Sequence, residues 1–110
     1  METVTKANEL ITQDDMWCLG LSHDGSCVVI GYEDGCIWVW NHLTNTTECQ
    51  MSGHSAQVGS VAFSYDGTHV VSGSRGKTVR IWDCHTGNEV SMYPHLDWVT
   101  CVAFSRRWSY

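Results

Sequence analysis

Residues 53–83, GHSAQVGSVAFSYDGTHVVSGSRGKTVRIWD, decide the fold of this 110-residue chain. Its short runs rich in β-branched residues, 69–74 and 78–82, are bounded by Gly, Ser and Asp and predict strands. The Asp66-Gly67 pair predicts a hairpin turn, because Gly tolerates positive φ and Asp hydrogen-bonds to its own turn. No helical apolar period is sustained anywhere in the chain, so helices are not expected.

The pattern of this stretch occurs more than once in the chain. Residues 16–40 align without a gap on residues 58–82 at an offset of 42, and seven of the 25 aligned positions are identical. A third copy begins at Val99, where VTCVAFS repeats VGSVAFS, and the match ends at Arg106. Such self-similarity indicates a repeat architecture. Each unit is predicted to hold four strands, at 16–22, 27–32, 36–40 and 47–51, then at 58–64, 69–74, 78–82 and 89–93.

Together these features resemble the WD-repeat family. The resemblance is carried by the unit length, the Gly53-His54 dipeptide, the Ser-x-Asp-Gly turn and the closing Trp82-Asp83 pair, and it covers nearly the whole chain. Residues 53–83 are also similar to WD-repeat arrays of fungal NACHT-type signalling proteins. The resemblance implies an all-β fold of β-propeller blades, each a four-stranded antiparallel sheet packed on its neighbours around a channel.

The expected organisation is a single partial propeller over residues 1–110. It comprises the trailing strand of a preceding blade at 3–10, a first blade at 16–51, a second blade at 58–93 and the first strand of a third blade at 99–105. These two and a half blades form an incomplete ring, because closed propellers need about four or more. An open stack leaves an apolar face uncovered, so the chain is a fragment of a longer protein, a protein that associates with other copies, or a degenerate and poorly stable product. We expect the fragment, and we expect the chain to self-associate when it is made alone.

Charge and cysteine content restrict the class of partner. The chain has six Lys and Arg against 12 Asp and Glu, which disfavours nucleic acid and anionic membranes as partners. No apolar run is long enough to span a bilayer, and no secretory signal is recognised at the N-terminus. The six cysteines lack the close spacing of zinc or redox motifs, so free thiols in a reducing cytoplasm are expected, with the nucleus left open.

Several polar residues of the repeat are expected to hold the blades together. In the WD-repeat family the matching His, Ser and Trp side chains, with an Asp from a tight turn, form a buried hydrogen-bond network. By this resemblance His54, Ser72 and Trp82 form such a network in the second unit, although Gly76 stands where the Asp is expected.

The first unit is expected to keep a different part of the network. It has Asp34 and Trp40 at the matching positions, but Ile30 replaces the Ser and Thr12 replaces the His. Neither unit therefore has all four members, and a partial network leaves buried polar groups unpaired.

The alternative interpretation is that these polar residues catalyse a hydrolytic reaction or bind a metal ion. His54, Ser72 and Asp83 are the residue types of a hydrolytic triad, and Cys84 and His85 are potential metal ligands. Because these polar residues recur, or are lost, in register with the repeat, architecture is favoured over an active site. We predict a non-catalytic protein–protein interaction scaffold, with no catalytic residue, metal or other cofactor.

The resemblance also implies where a protein or peptide partner binds. We letter the four strands of each unit a to d in chain order. In the family, contacts come from the loops between strand d and the next strand a, and between strands b and c, at one face of the propeller. Trp98 and Trp17 are the leading candidates and Arg75 follows, because Trp and Arg are frequent interface hot spots. Packing between blades is the alternative role of Trp17. The other matching positions are Gln57, Asp15 and Thr100.

Overall fold

The computed structural model describes residues 16–99 and 101–105, and these form two four-stranded antiparallel sheets. The described part contains no helix, and so no helix long and apolar enough to cross a membrane. The prediction of an all-β fold built from four-stranded antiparallel blades is confirmed. The first sheet holds β1 (Met16–Leu21), β2 (Cys27–Tyr32), β3 (Ile37–Asn41) and β4 (Thr46–Met51), and the second holds β5 (Val58–Phe63), β6 (His69–Ser74), β7 (Thr78–Asp83) and β8 (Glu89–Pro94), each in chain order.

The turn between the first two strands is built identically in both sheets. In the second sheet, Ser64 Oγ donates to Asp66 Oδ1 at 2.7 Å, and Gly67 has a φ of 77°. In the first sheet, Ser22 Oγ donates to Asp24 Oδ1, also at 2.7 Å. The backbone N–H two residues after each Asp, and then the Ser hydroxyl, lower the pKa of both carboxyls to about 2. The Ser-x-Asp-Gly stretch is therefore a rigid corner that the repeat copies in full.

The two sheets also share their irregularities. Each has a register shift at the start of its first strand and a second one where its third strand pairs with its fourth. Such bulges increase local twist and are reproduced only when the underlying geometry is the same. The shifts lie between Met16 and Cys18 and between Val39 and Trp40 in the first sheet, and between Val58 and Ser60 and between Ile81 and Trp82 in the second.

The main hydrophobic core lies between the sheets, where β5 packs across β1 and β2. The remaining face of the first sheet carries a second buried cluster of larger side chains. The first sheet is therefore apolar on both faces, as expected for a blade that is stacked between others. The main core comprises Val29, Ile37, Val39, Met51, Val58, Val61, Val70 and Trp82, and the second cluster comprises Val28, Ile30, Tyr32 and Trp40.

Glycine at two matching positions permits the close approach of neighbouring segments. A Cβ on Gly31 would lie 2.6 Å from Cys18 Sγ and 2.6 Å from Val58 Cγ1. A Cβ on Gly73 would lie 2.5 Å from Val99 Cγ1. Val99 therefore meets the second sheet as Val58 meets the first.

The segment 99–105 follows the second sheet in the position that β5 takes against the first. The Val99 N–H donates to the Ser74 carbonyl at 3.0 Å, and the Val102 N–H donates to Ser60 Oγ at 3.1 Å. Its described residues pair with no strand of the described chain. Its assignment to a third blade stays a prediction, and the strand predicted at 3–10 lies outside the described residues.

Replacement of Gly31 by alanine is expected to lower the free energy of unfolding by about 1–3 kcal/mol, because the added methyl overlaps Val58 and Cys18. Val58→Ala alone destabilises by removing buried methyl groups. The double variant should lose less than the sum of the two single losses, because the smaller side chain at 58 leaves room for the new methyl. Urea unfolding of the four proteins checks this coupling, and strictly additive losses would contradict the contact.

Candidate functional site

A buried hydrogen-bond network connects β6 and β7 of the second sheet with the loop that precedes β5. Trp82 Nε1 donates to Ser72 Oγ at 2.8 Å, and Ser72 Oγ lies 2.6 Å from Nε2 of His54. Nδ1 of His54 lies 3.1 Å from Oγ1 of Thr78. The side chains of Ser72 and Trp82 are almost fully buried, and the structure thus brings together the three residues that the resemblance assigned to one network.

The distances indicate which groups donate. Ser72 Oγ is 3.5 Å from the Arg80 carbonyl but only 2.6 Å from His54 Nε2, so its proton lies in the shorter contact and Nε2 accepts. Nδ1 of His54 then carries the ring proton and donates to Thr78. This neutral tautomer matches the electrostatics, because burial, and then the charge of Arg80, lowers the pKa of His54 to about 4.

Thr78 is the member of the network that sequence reasoning missed. It is the first residue of β7, two positions after Gly76. Its hydroxyl accepts the hydrogen bond from His54 Nδ1 that the absent Asp would have accepted. Arg80 Nε also donates to Thr78 Oγ1, at 3.3 Å, and the Arg80 guanidinium pairs with Glu89 at 2.5 Å. The sequence signal for this substitution was a hydroxyl-bearing residue directly after the turn between β6 and β7.

In the first sheet the corresponding residues do not form one network. Asp34 is exposed in the β2–β3 turn, where its Oδ1 accepts the Cys36 N–H at 2.9 Å. Trp40 is buried against Val28 and Ile30. With Ile30 at the Ser position, the indole of Trp40 meets an apolar side chain there instead of a hydroxyl.

The residues considered for chemistry are separated. Asp83 is the last residue of β7, and its Oδ1 accepts the backbone N–H groups of His85 and Thr86 in the following turn, away from the bonds of His54. Burial raises the pKa of the Cys84 thiol to about 12, which opposes formation of a thiolate. No cluster of three or more His, Cys, Asp and Glu side chains suited to a metal ion occurs in residues 16–99 and 101–105. All six cysteines are free thiols.

The leading surface residues of the sequence prediction meet at one edge of the structure. The Arg75 guanidinium carbon lies 4.5 Å from the ring centroid of Trp98 and 5.9 Å from that of Trp17. The two indoles are half-exposed, at 51% for Trp17 and 54% for Trp98, and Arg75 is exposed. We call Trp17, Arg75 and Trp98 the Trp–Arg–Trp surface. It joins the first strand of one sheet, the b–c turn of the next and the segment that follows β8.

Backbone contacts hold this surface in place. The Arg75 N–H donates to the Gln57 carbonyl at 3.0 Å, and Ser74 Oγ donates to the same carbonyl at 2.8 Å. The Trp98 N–H donates to Asp97 Oδ1 at 2.7 Å, and the next residue is bonded to Ser74. Gln57 contributes here through its backbone. Asp15 and Thr100, the other two predicted contacts, lie outside the described residues.

Comparison with known proteins identifies the repeat. The family model described as "WD domain, G-beta repeat" matches residues 6–41 and 45–83, which is more than half of the chain. A U3 small nucleolar RNA-associated protein 15 homolog from Xenopus tropicalis is 33% identical over 90 residues, covering 81% of this chain and 18% of that protein. The vegetative incompatibility protein HET-E-1 of Podospora anserina is 52% identical over 48 residues, covering 44% of this chain and 3% of that protein.

Solved structures show the same fold. The Cps50 (Swd1) β-propeller domain of Myceliophteria thermophila superposes with a TM-score of 0.75 at 23% identity, over 79% of this chain and 28% of that chain. The WD40 repeats of RRP9 superpose with a TM-score of 0.70 at 26% identity, over 76% of this chain and 27% of that chain. This chain thus spans less than a third of the length of each of these relatives.

The neutral state of His54 is expected to make stability depend on pH. The pKa of His54 falls from its usual 6.5 to about 4 on folding, so the unfolded chain binds the proton more tightly. The stabilisation is complete above pH 6.5, declines as the pH falls, and stops declining below about pH 4. Its slope is at most about 1.4 kcal/mol per pH unit.

Denaturant unfolding at a series of pH values between 6.5 and 4 measures this slope. His54→Gln should remove its share of the slope, whereas His85→Gln, at an exposed turn position, should retain the slope of the parent chain. Equal slopes for the parent chain and His54→Gln would contradict the buried neutral imidazole.

Proposed function

Because this chain belongs to the WD40-repeat family, we propose that it is a non-catalytic scaffold that binds a protein or peptide segment through the Trp–Arg–Trp surface. The observation that carries this proposal is the contact of the exposed Arg75 guanidinium with two half-exposed indoles. Trp and Arg contribute most often to the affinity of protein interfaces, and here three such residues form one contiguous patch.

The residues of this surface do not recur in the repeat. The position of Trp17 is Gly59 in the second unit, and the position of Arg75 is Glu33 in the first. The position of Trp98 is Gln57 one unit earlier. Residues that build blades recur at matching positions, as the Ser-x-Asp-Gly turns do. The Trp–Arg–Trp surface is instead unique within the chain, as a binding site for one partner requires.

The burial of the network favours the scaffold over a hydrolase. A nucleophilic Ser must reach its substrate, and Ser72 has an exposed fraction of 0%. The partners of Ser72 are the indole of Trp82 and the ring of His54, which are themselves buried. These three side chains therefore support the structure of the blade. WD40 repeats generally form non-enzymatic scaffolds.

The setting proposed for the chain follows from its relatives. The similarity to HET-E-1 supports a place in a signalling protein of the NACHT-associated type, where the repeats would recognise a protein. We propose the cytoplasm as the compartment, with the nucleus as the alternative because one relative is named for its association with a small nucleolar RNA. The small fraction of each relative that is covered supports a fragment of a larger propeller.

We further propose that the chain self-associates through the outer face of the second sheet. The face of the first sheet that meets β5 is closed, because Ile37 and Met51 have exposed fractions of 0%. At the matching face of the second sheet, Val79 is only partly buried and its cross-strand partner Tyr93 is 51% exposed. A second copy would cover this face as a neighbouring blade does.

Self-association is measured by sedimentation velocity at micromolar concentration. We expect the parent chain to form species larger than a monomer, and Tyr93→Lys to shift it toward the monomer, because a charge on the covered face must be desolvated. Leu43→Lys, which changes an exposed residue of the β3–β4 turn, is the control and should behave as the parent chain. A compact monomer of the parent chain would contradict the proposal.

The binding proposal is tested by pull-down from a lysate with the 110-residue chain as bait. The Trp98→Ala/Arg75→Ala variant should lose its partner by about tenfold or more, because hot-spot truncations cost about 2 kcal/mol each. Leu43→Ala removes a comparably exposed apolar side chain elsewhere and should retain the partner. Unchanged recovery by the double variant, with unfolding curves like those of the parent chain, would contradict the assignment of the surface.

A further inference from the structure

We propose that the Trp–Arg–Trp surface recognises an oxyanion, a carboxylate or a phosphate, carried on the side chain of a bound peptide segment. This inference rests on the proposed function and adds the chemistry of the partner. The observation behind it is a guanidinium carbon that lies over two indole rings, 4.5 Å from the centroid of Trp98 and 5.9 Å from that of Trp17.

The stacking prepares Arg75 for such a ligand. A planar guanidinium has five N–H donors along its edge, and contacts to aromatic rings use its faces. The indoles of Trp98, at 4.5 Å, and Trp17, at 5.9 Å, restrict the side chain, and no oxygen of residues 16–99 and 101–105 accepts a hydrogen bond from its guanidinium. A restricted guanidinium loses less entropy on binding, and its edge matches the two oxygens of a carboxylate or phosphate.

Arg75 differs from the other arginine of the same hairpin. The Arg80 guanidinium is already paired with Glu89 at 2.5 Å and bonded to Thr78. For the Arg75 guanidinium, by contrast, residues 16–99 and 101–105 supply ring contacts and neither a hydrogen bond nor an ion pair. Among these residues the charge of Arg75 therefore has no carboxylate partner.

The charge and polarity around Arg75 define the ligand further. Lys77 is a second exposed cation in the same turn, whereas the Asp97 carboxylate beside Trp98 accepts the N–H of Trp98. The exposed indole faces and the fully exposed Leu96 offer apolar contacts beside the cations. An acidic residue flanked by apolar residues is complementary to this combination. Two cations are few for a nucleic-acid backbone, which is held by many phosphate contacts.

The test uses three short peptides that differ only in the central residue. The probes are acetylated Leu-Asp-Leu and Leu-Asn-Leu amides and the matching peptide with phosphoserine at the centre. Each is titrated into the 110-residue chain while the indole N–H signals of Trp17 and Trp98 are followed by NMR. Trp17→Phe and Trp98→Phe variants assign the two signals, and the Trp82 signal reports that the fold is intact.

The two oxyanion peptides are expected to shift both indole signals and to bind about tenfold more tightly than the Asn peptide. Comparison of the Asp and phosphoserine peptides distinguishes the two sources of the oxyanion. Arg75→Gln should remove the preference over Asn, and Arg75→Lys should retain only part of it, because Lys lacks the planar edge. Lys77→Gln, the matched control, removes the same charge from the same turn and should retain most of the preference.

Equal affinity for the Asp and Asn peptides would overturn the inference, as would an unchanged preference in Arg75→Gln or an equal loss in Lys77→Gln. Tighter binding of oligouridylate than of either oxyanion peptide would overturn it in favour of RNA. If the peptides show no oxyanion preference while the pull-down still depends on Trp98 and Arg75, the inference fails and the scaffold remains. If the oxyanion preference and the dependence of the pull-down on Trp98 and Arg75 are both absent, the inference and the proposed binding surface both fail.

Discussion

The close contact between the two sheets determines the rest of the structure. Gly31 has no side chain, and Val58 occupies the space that a Cβ would need. This contact brings β5 down onto β1 and β2 and fixes the angle between the sheets. The same contact is repeated one unit later, where Val99 meets Gly73. The segment after β8 therefore lies at the edge that also holds β1 and the turn between β6 and β7. Trp17, Arg75 and Trp98 become neighbours because of these two contacts.

The repeat separates residues that build blades from residues that are free to bind. The family repeat at 45–83 supplies β4 to the first sheet and β5, β6 and β7 to the second, so each repeat joins two neighbouring sheets. Its recurring residues form the turns and the core. The network of Trp82, Ser72 and His54 is likewise internal, and Thr78 completes it in the absence of the turn Asp. The three side chains of the Trp–Arg–Trp surface occur once, and they lie where β1, the turn between β6 and β7 and the segment after β8 meet.

Much of this fold could be predicted from the sequence, because its signals are local. Asp-Gly turns and β-branched runs specify strands at short range, and the repeat predicts the stacking of like units. The replacement of the network Asp by Thr78 was not predictable, because the hydroxyl comes from a different position on the hairpin. Asp34 followed the repeat pattern in sequence, yet it accepts the N–H of Cys36 in its own turn, because Thr12 stands in place of the imidazole that would donate to it. The contact of Arg75 with two indoles depends on the angle between sheets, which no local signal encodes.

The most direct test of this account is a proton–proton NOE measurement on the 110-residue chain in solution. The account predicts NOEs between the Gly31 Hα protons and the Val58 methyls, together with NOEs from the Arg75 side chain to the ring protons of Trp17 and of Trp98. If the Gly31–Val58 NOEs are present and the Arg75 side chain shows none to either indole, the packing of the sheets does not assemble the surface, and the central claim is contradicted.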